Sequence, residues 1–380
     1  MPVERALGRS NQRNSPLSQR RRSPVPPPDR VSSGNSHELD AERSPLPTDA
    51  RKLTRMGSMY WTPRSLLNHG SKLHQAIADG SDQELRDAAS QDERMYYDLY
   101  DMLNELQPDL FDLLGERGND FMRNVRDKLS NGRDGAKAED NHKIKNALPY
   151  LMSCEPSLVD QPKSSRGLSH PECAYRLAPI TVDWDNEEQR RQFIECSNPP
   201  MVAKHWPRVL YLDCKGDPSQ PSKGLFKNKL LVDVANALLK SPTSVIPTAR
   251  IRPSSVRRGR KGISAKYKLT RITPAFLAYV AVLTRFALSS EETFNDDGGT
   301  FNYVAFYSEL REYLEAPKYQ KRAKVLIAWW NKTLFPNSIQ EQDNAGGADD
   351  TSGGMLSLLA AEVEGDEDED EDGNEEPGDD

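Results

Sequence analysis

The sequence predicts a mostly α-helical protein. It reads as a single helical domain over 56–336, with an irregular Pro-rich middle segment at 150–222 and disordered tails at 1–55 and 337–380. Three observations lead there. Apolar residues recur three and four apart between recognisable helix start and stop signals. The hydrophobic fraction is only 36% and there are 27 prolines, so part of the length must lie in segments that bury nothing. The charge is also uneven. The chain carries net −7, yet 364–380 holds twelve acids and no base, while 1–55 is net +5. That leaves a near-neutral body with oppositely charged ends, the pattern of interaction tails.

The elements follow in order. "SPVPPPDR" at 23–30 lies in a Ser/Pro/Arg-rich tail that cannot repay the entropy of ordering. Leu66, Leu67, Leu73 and Ile77 predict a helix stopped by Gly80. Ser81, with Glu84 three residues on, predicts a capping box for the next. Met95, Leu99, Met102, Leu103 and Leu106 form an apolar stripe, and Pro108 opens a short helix through Leu110, Phe111 and Leu114. "DFMRNVRDKLSNG" predicts another short helix, ended by Asn131-Gly132. Ten prolines between 149 and 221 then forbid long helices, and "RVLYLD" at 208–213 reads as a strand without a partner. "LFKNKLLVDVANALLKSP" is an amphipathic helix closed before Pro242. Thr273 and Pro274 are cap and first residue of a helix at 275–288, apolar nearly all round and therefore central. Asn302 caps "YVAFYSELREYLE", Pro317 closes it, and "YQKRAKVLIAWWNKTLF" is the last helix. "MLSLLAAEV" at 355–363 is an apolar island in the acidic tail.

The blocks "SSRGLSHPECAYRLAP" (164–179), "KGLFKNKLLVDVANALLKSPTS" (223–244) and "ITPAFLAYVAVLTRFALSSEETFNDDGGTFNYVAFYSEL" (272–310), with "WWNKTLF" at 329–335, resemble an uncharacterised family of mushroom-forming fungi. The resemblance covers about 95–335. It implies a eukaryotic, intracellular setting and supplies no activity, cofactor or catalytic residue.

The feature with most chemical content is basic. Between 249 and 272 lie Arg250, Arg252, Arg257, Arg258, Arg260, Lys261, Lys266, Lys268 and Arg271, with no acid. Cations on a Gly/Ser-bearing loop can neutralise phosphates of DNA or RNA, releasing counterions and making binding steeply salt-dependent. Arg258-Gly259-Arg260-Lys261 resembles the core of a minor-groove hook, with Lys261 where Pro normally follows. The same cluster also reads as a nuclear import tag or a solvated linker, and, as a lesser alternative, as a contact for the chain's own acidic tail. Arg20-Arg21-Arg22 before Ser23-Pro24 reads as an import or phosphorylation-regulated tag. The acidic run is a solubility tail or a nucleic-acid mimic that recruits basic proteins such as histones. Covering the basic loop, it would weaken phosphate binding.

Other chemistries find less support. His170 and Cys173 have zinc-knuckle spacing, but Cys196, His205 and Cys214 follow at gaps too wide for a second paired set. No Gly-x-Ser-x-Gly elbow and no Walker loop occurs. Asp183/Asp185 and Asp296/Asp297 read as turn residues, and only as metal-binding acids if they converge. Tyr303, Phe306, Tyr307 and Tyr313 read as core, and one of Trp329 and Trp330 as surface. No apolar run reaches the ~18–20 residues that span a bilayer, and the four cysteines are expected to be reduced. The expectation is thus a non-enzymatic nuclear interaction protein that binds nucleic acid through 250–271, with no catalytic residue, metal ligand set or cofactor assigned. The alternatives are a mobile-element-derived or metal-dependent enzyme, and a protein-binding scaffold acting through its tail.

Overall fold

The computed structural model describes residues 45–336 apart from 197, 242–244, 247–261 and 298. Thirteen α-helices run through the described residues, joined by short 3₁₀ turns, and the only β pairing among them is three isolated bridges.

The first helix, α1 (Leu46–Met56), lies, all but its last residue, inside the stretch that the sequence assigns to the tail. Its short stripe escapes that reading: Leu46, Ala50 and Leu53 share one face and are buried. Thr54 accepts the Trp61 indole N–H at 3.1 Å, which holds the following turn against the helix. Next come α2 (Pro63–Asp79), capped by Thr62 and ended by Gly80 at φ 72°, and the short α3 (Asp82–Asp87). Ser81 makes no side-chain cap there; the capping box sits instead at Ser90 and Glu93, opening α4 (Gln91–Leu106). The buried face of α4 is aromatic, with Tyr96, Tyr97 and Tyr100 beside Leu99 and Leu103. Ile77, expected inside, is 45% exposed. α5 (Leu110–Glu116) follows.

Gly132 does not stop a helix. It lies within α6, a 34-residue helix from Gly118 to Leu151. A Cβ on Gly132 would stand 2.3 Å from the Pro47 carbonyl oxygen and 2.6 Å from the Ala50 Cβ, so the glycine is where α1 and α6 touch. Close packing there compensates for the ~1 kcal/mol that glycine costs a helix interior. α6 presents Val125 and Leu129 to one core, built with α1, α2, α4 and α5. It presents Ile144 and Leu148 to the larger core around α9 (Lys229–Leu239), α11 (Pro274–Leu288), α12 (Tyr303–Glu315) and α13 (Gln320–Leu334). α1 is shared in the same way: Leu53 belongs to the first core and Met56 to the second.

One buried ion pair locks these two helices. Arg55 Nε and Nη2 donate to Asp140 Oδ2 and Oδ1 at 2.6 and 3.1 Å. The Tyr279 hydroxyl of α11 donates to Asp140 Oδ2 at 3.0 Å. Asp140 is 0% and Arg55 4% exposed. Burial alone penalises the guanidinium charge, but the facing carboxylate outweighs it and pushes the Arg55 pKa up.

The middle segment holds α7 (Pro171–Leu177), α8 (Glu187–Cys196) and four 3₁₀ turns. "RVLYLD" is not a strand. Asp213 and the following Cys214 adopt φ 53° and 60°, which breaks extension after a single bridge from Tyr211 to Leu225. This segment is tied to the end of α11. Arg166 Nη1 donates to the Ala287 carbonyl at 2.8 Å. Lys163 Nζ donates to the Ser289 carbonyl at 2.7 Å and to that of Glu291, and sits 4.0 Å from the Phe286 ring centroid. Two cations thus satisfy carbonyls at or just beyond the end of a buried helix, where its dipole favours positive charge. At the other end Thr273 caps α11, accepting from Phe276 N at 3.1 Å and donating to Met56 O of α1 at 2.6 Å. The short α10 (Ile263–Tyr267) precedes it.

Two expectations follow. Asp140→Asn leaves a buried guanidinium without its counter-charge, and denaturant unfolding should show a loss of about 3–5 kcal/mol; Arg55→Met with Asp140→Leu should recover most of it. Burial holds the Lys163 amine down at about 7, from its ordinary 10.5. The unfolded chain therefore binds the extra proton between pH 7 and 10.5, and stability rises with pH across that window, by up to about 1.4 kcal/mol per unit. Lys163→Met should remove that rise in a comparison of unfolding at pH 7 and pH 9.

Candidate nucleic-acid interface

Of the nine cations expected to contact phosphate, Arg250, Arg252, Arg257, Arg258, Arg260 and Lys261 lie outside the described residues, as do the Arg20–Arg22 cluster and the acidic tail. Lys266, Lys268 and Arg271 are described, and all three are exposed. The two ends of the intervening loop meet on the fold. Gly262 packs against the end of α9, where a Cβ would lie 2.6 Å from the carbonyl oxygens of both Leu239 and Lys240. Ser264 Oγ donates to the Leu239 carbonyl at 3.1 Å. α10 is then fastened to the start of α1, the Tyr267 hydroxyl donating to Thr48 O at 2.9 Å with Lys266 Nζ 3.5 Å from Thr48 Oγ1. Lys268 takes the left-handed backbone (φ 51°) that turns the chain out of α10.

The chain re-enters the body against α13, where Ile272 N donates to Asn331 Oδ1 at 2.8 Å. α13 adds cations that the sequence reading leaves out. From 316 to 336 there are five Lys/Arg and no acid. Lys321, Arg322, Lys324 and Lys332 are all exposed on this helix. The absence of acids is the available signal, overshadowed in the sequence by the apolar stripe. That stripe is real: Trp330 is fully buried and donates Nε1–H to Phe226 O at 3.1 Å. Trp329 is half-buried beneath Lys227, 5.9 Å from its ring centroid. Lys268, Arg271, Lys324 and Lys332 have no carboxylate within ion-pair distance among the described residues.

The carboxylate pairs do not converge. Asp183 and Asp185 line a cleft of about 660 Å³ with Glu172, Tyr175, Trp184, Arg208 and Lys215. Asp296 and Asp297 line a different one, of about 770 Å³, between α6 and the segment 289–302. In that second cleft Asp296 Oδ2 accepts from Lys137 Nζ at 2.9 Å. Glu291 folds the segment over, its carboxylate accepting the Thr300 N–H at 3.0 Å and the hydroxyls of Thr300 and Tyr303. Burial would raise the Glu291 pKa, but these hydrogen bonds hold it below the usual carboxylate range.

The thiols and imidazoles are engaged structurally. Burial pushes Cys173 up to about 11 and raises Cys154 and Cys214, which keeps these thiols protonated at neutral pH. His170 Nε2 lies 2.8 Å from Pro156 O, and His205 Nδ1 2.8 Å from Pro200 O. Among the described residues no group of three or more His, Cys, Asp or Glu side chains could hold a metal ion, and no helix is long and apolar enough to cross a membrane.

In comparisons with known proteins, the model of a family described as Family of unknown function (DUF6698) matches residues 131–335, more than half of the chain. The match runs from the middle of α6 to the end of α13. No curated protein and no solved structure matches.

Proposed function

The chain belongs to the family of unknown function DUF6698, which brings no activity with it, and we propose that it is a non-enzymatic nuclear protein that binds DNA or RNA through phosphate contacts. The observation that supports this reading is a group of exposed cations: Lys266, Lys268 and Arg271, in a stretch that meets α13 through Ile272 N and Asn331 Oδ1, and Lys324 and Lys332 on α13 itself. A loop rooted at two adjacent points on a packed scaffold can follow a phosphate backbone at a smaller ordering cost than a free tail. The Arg20–Arg22 and Arg257–Lys261 clusters are the import signals in this proposal, and a fungal lineage is its setting. The acidic run at 364–380 competes with nucleic acid for the same surface, or recruits basic proteins when that surface is occupied.

The test is a salt titration of labelled duplex DNA and single-stranded RNA binding to the full chain. Each phosphate contact contributes about one unit to the slope of log affinity against log salt. Lys266→Gln, Lys268→Gln and Arg271→Gln together should lower that slope by about 2–3, and Lys324→Gln with Lys332→Gln by about 1–2. Deleting 364–380 should tighten binding at low salt. Slopes unchanged by both sets of substitutions, or no binding at low salt, would remove the proposal.

A further inference from the structure

The 660 Å³ cleft of the middle segment holds a buried cation without a counter-charge. Arg208 opens the 3₁₀ turn Arg208–Leu210, its backbone N–H held by the Ala178 carbonyl at 2.8 Å, and the residue is 9% exposed. Nη2 donates to the Val182 carbonyl, and Nε has neither an acceptor nor accessible surface. Nη1 has no acceptor among the described residues either, but it is not closed off from solvent, and Arg208 lines the cleft. No carboxylate among the described residues lies within ion-pair distance of this guanidinium. The Tyr175 ring, its centroid 5.4 Å from Cζ, compensates only in part. A charge buried to this degree is costly until an anion reaches it, and its open side is the cleft.

The other groups of the cleft set what that anion must carry. Glu172 is committed to Arg176. Lys215, Asp183 and Asp185 are exposed and have no ion pair among the described residues. Asp183 Oδ1 accepts the Asp185 N–H at 3.1 Å, which fixes the turn. Tyr175 and Trp184 tilt together, with ring centroids 5.4 Å apart, and the Trp184 indole N–H has no acceptor among the described residues. A simple anion would meet the two aspartates, and a simple cation Arg208 and Lys215. A zwitterion with an apolar body satisfies both signs. We infer that the cleft binds a free α-amino acid with a large apolar or aromatic side chain. Its carboxylate accepts from Arg208 Nη1, with Lys215 at the rim; its ammonium faces Asp183 and Asp185; its side chain covers Tyr175 and Trp184. The volume lies in the ~300–1,000 Å³ range of small-molecule sites. The inference is independent of nucleic-acid binding, since it uses neither α10 nor α13 nor either tail.

Calorimetric titration of the full chain with phenylalanine, and with two derivatives that each lack one charge, tests this. Phenylalanine should bind at about millimolar concentration or below. Phenylalaninamide, without the carboxylate, should bind at least about tenfold more weakly, the effect of losing a charge-assisted hydrogen bond. N-acetylphenylalanine, without the ammonium, should bind about twofold to fivefold more weakly, because the aspartates are exposed. Asp185→Asn should weaken phenylalanine by the same factor, leave N-acetylphenylalanine unchanged, and keep the melting temperature. Arg208→Gln should abolish the preference for phenylalanine over phenylalaninamide; if that variant does not fold, the two derivatives and Asp185→Asn decide. No binding of phenylalanine up to about 10 mM, well above the expected range, overturns the inference. So does equal binding of phenylalaninamide, or an affinity for phenylalanine that Asp185→Asn leaves intact. N-acetylphenylalanine binding as tightly as phenylalanine also overturns it, pointing instead to a peptide C-terminus.

Discussion

The contact between α1 and α6 is the constraint on which the rest of the fold depends. Two helices distant in sequence meet at a glycine, and farther along they share a buried ion pair. The two hydrophobic cores are joined chiefly through these helices, because both take part in both cores. An ion pair of this kind adds little net stability over a well-packed apolar pair, since desolvating two charges consumes most of the attraction. What it adds is discrimination. Any register of α1 on α6 other than the observed one leaves a guanidinium or a carboxylate alone in the interior. The Tyr279 hydroxyl extends that requirement to α11, so three helices are aligned by a single carboxylate.

A second constraint concerns α11, which is buried almost throughout its length. A helix in that position cannot use water to satisfy its last carbonyls. Lys163 and Arg166 supply the donors instead, from a segment with little regular structure of its own. The Pro-rich middle of the chain is therefore no decoration on the surface. It closes the end of the central helix and at the same point supports the segment that forms one wall of the larger cleft. The low Lys163 pKa has its origin there. An amine buried to cap carbonyls, with their oxygens rather than a carboxylate as its direct partners, loses much of its preference for charge.

Much of this is legible from residues alone. The caps at Thr273 and Asn302 are local, and each forms as its residue type requires. The all-round apolar character of 275–288 marks the central helix, and the proline density marks the irregular middle. The departures share a cause. Gly132 reads as a stop because glycine is unfavourable inside a helix, but tertiary contact with Pro47 and Ala50 reverses that preference, and no local pattern reports it. α1 escapes notice because its apolar stripe is three residues long within a polar, basic context. The strand expected at 208–213 does not form because Arg208–Leu210 closes a 3₁₀ turn and Asp213 and Cys214 take left-handed backbone, which is invisible in a sequence without glycine at those positions. Of the nine cations of the candidate interface, three lie among the described residues and are exposed, and the exposed cations of α13 follow a charge pattern present in the sequence all along. Arg208 carries no signal at all, since a buried guanidinium without a counter-charge is defined only by its surroundings.

The meeting of Leu239, Lys240 and Gly262 gives the fold a built-in port. A chain that leaves and returns through neighbouring residues can be lengthened, shortened or exchanged at a cost that grows only with the logarithm of its length. A reporter or a whole foreign domain spliced into the same place would find its two ends already held the right distance apart.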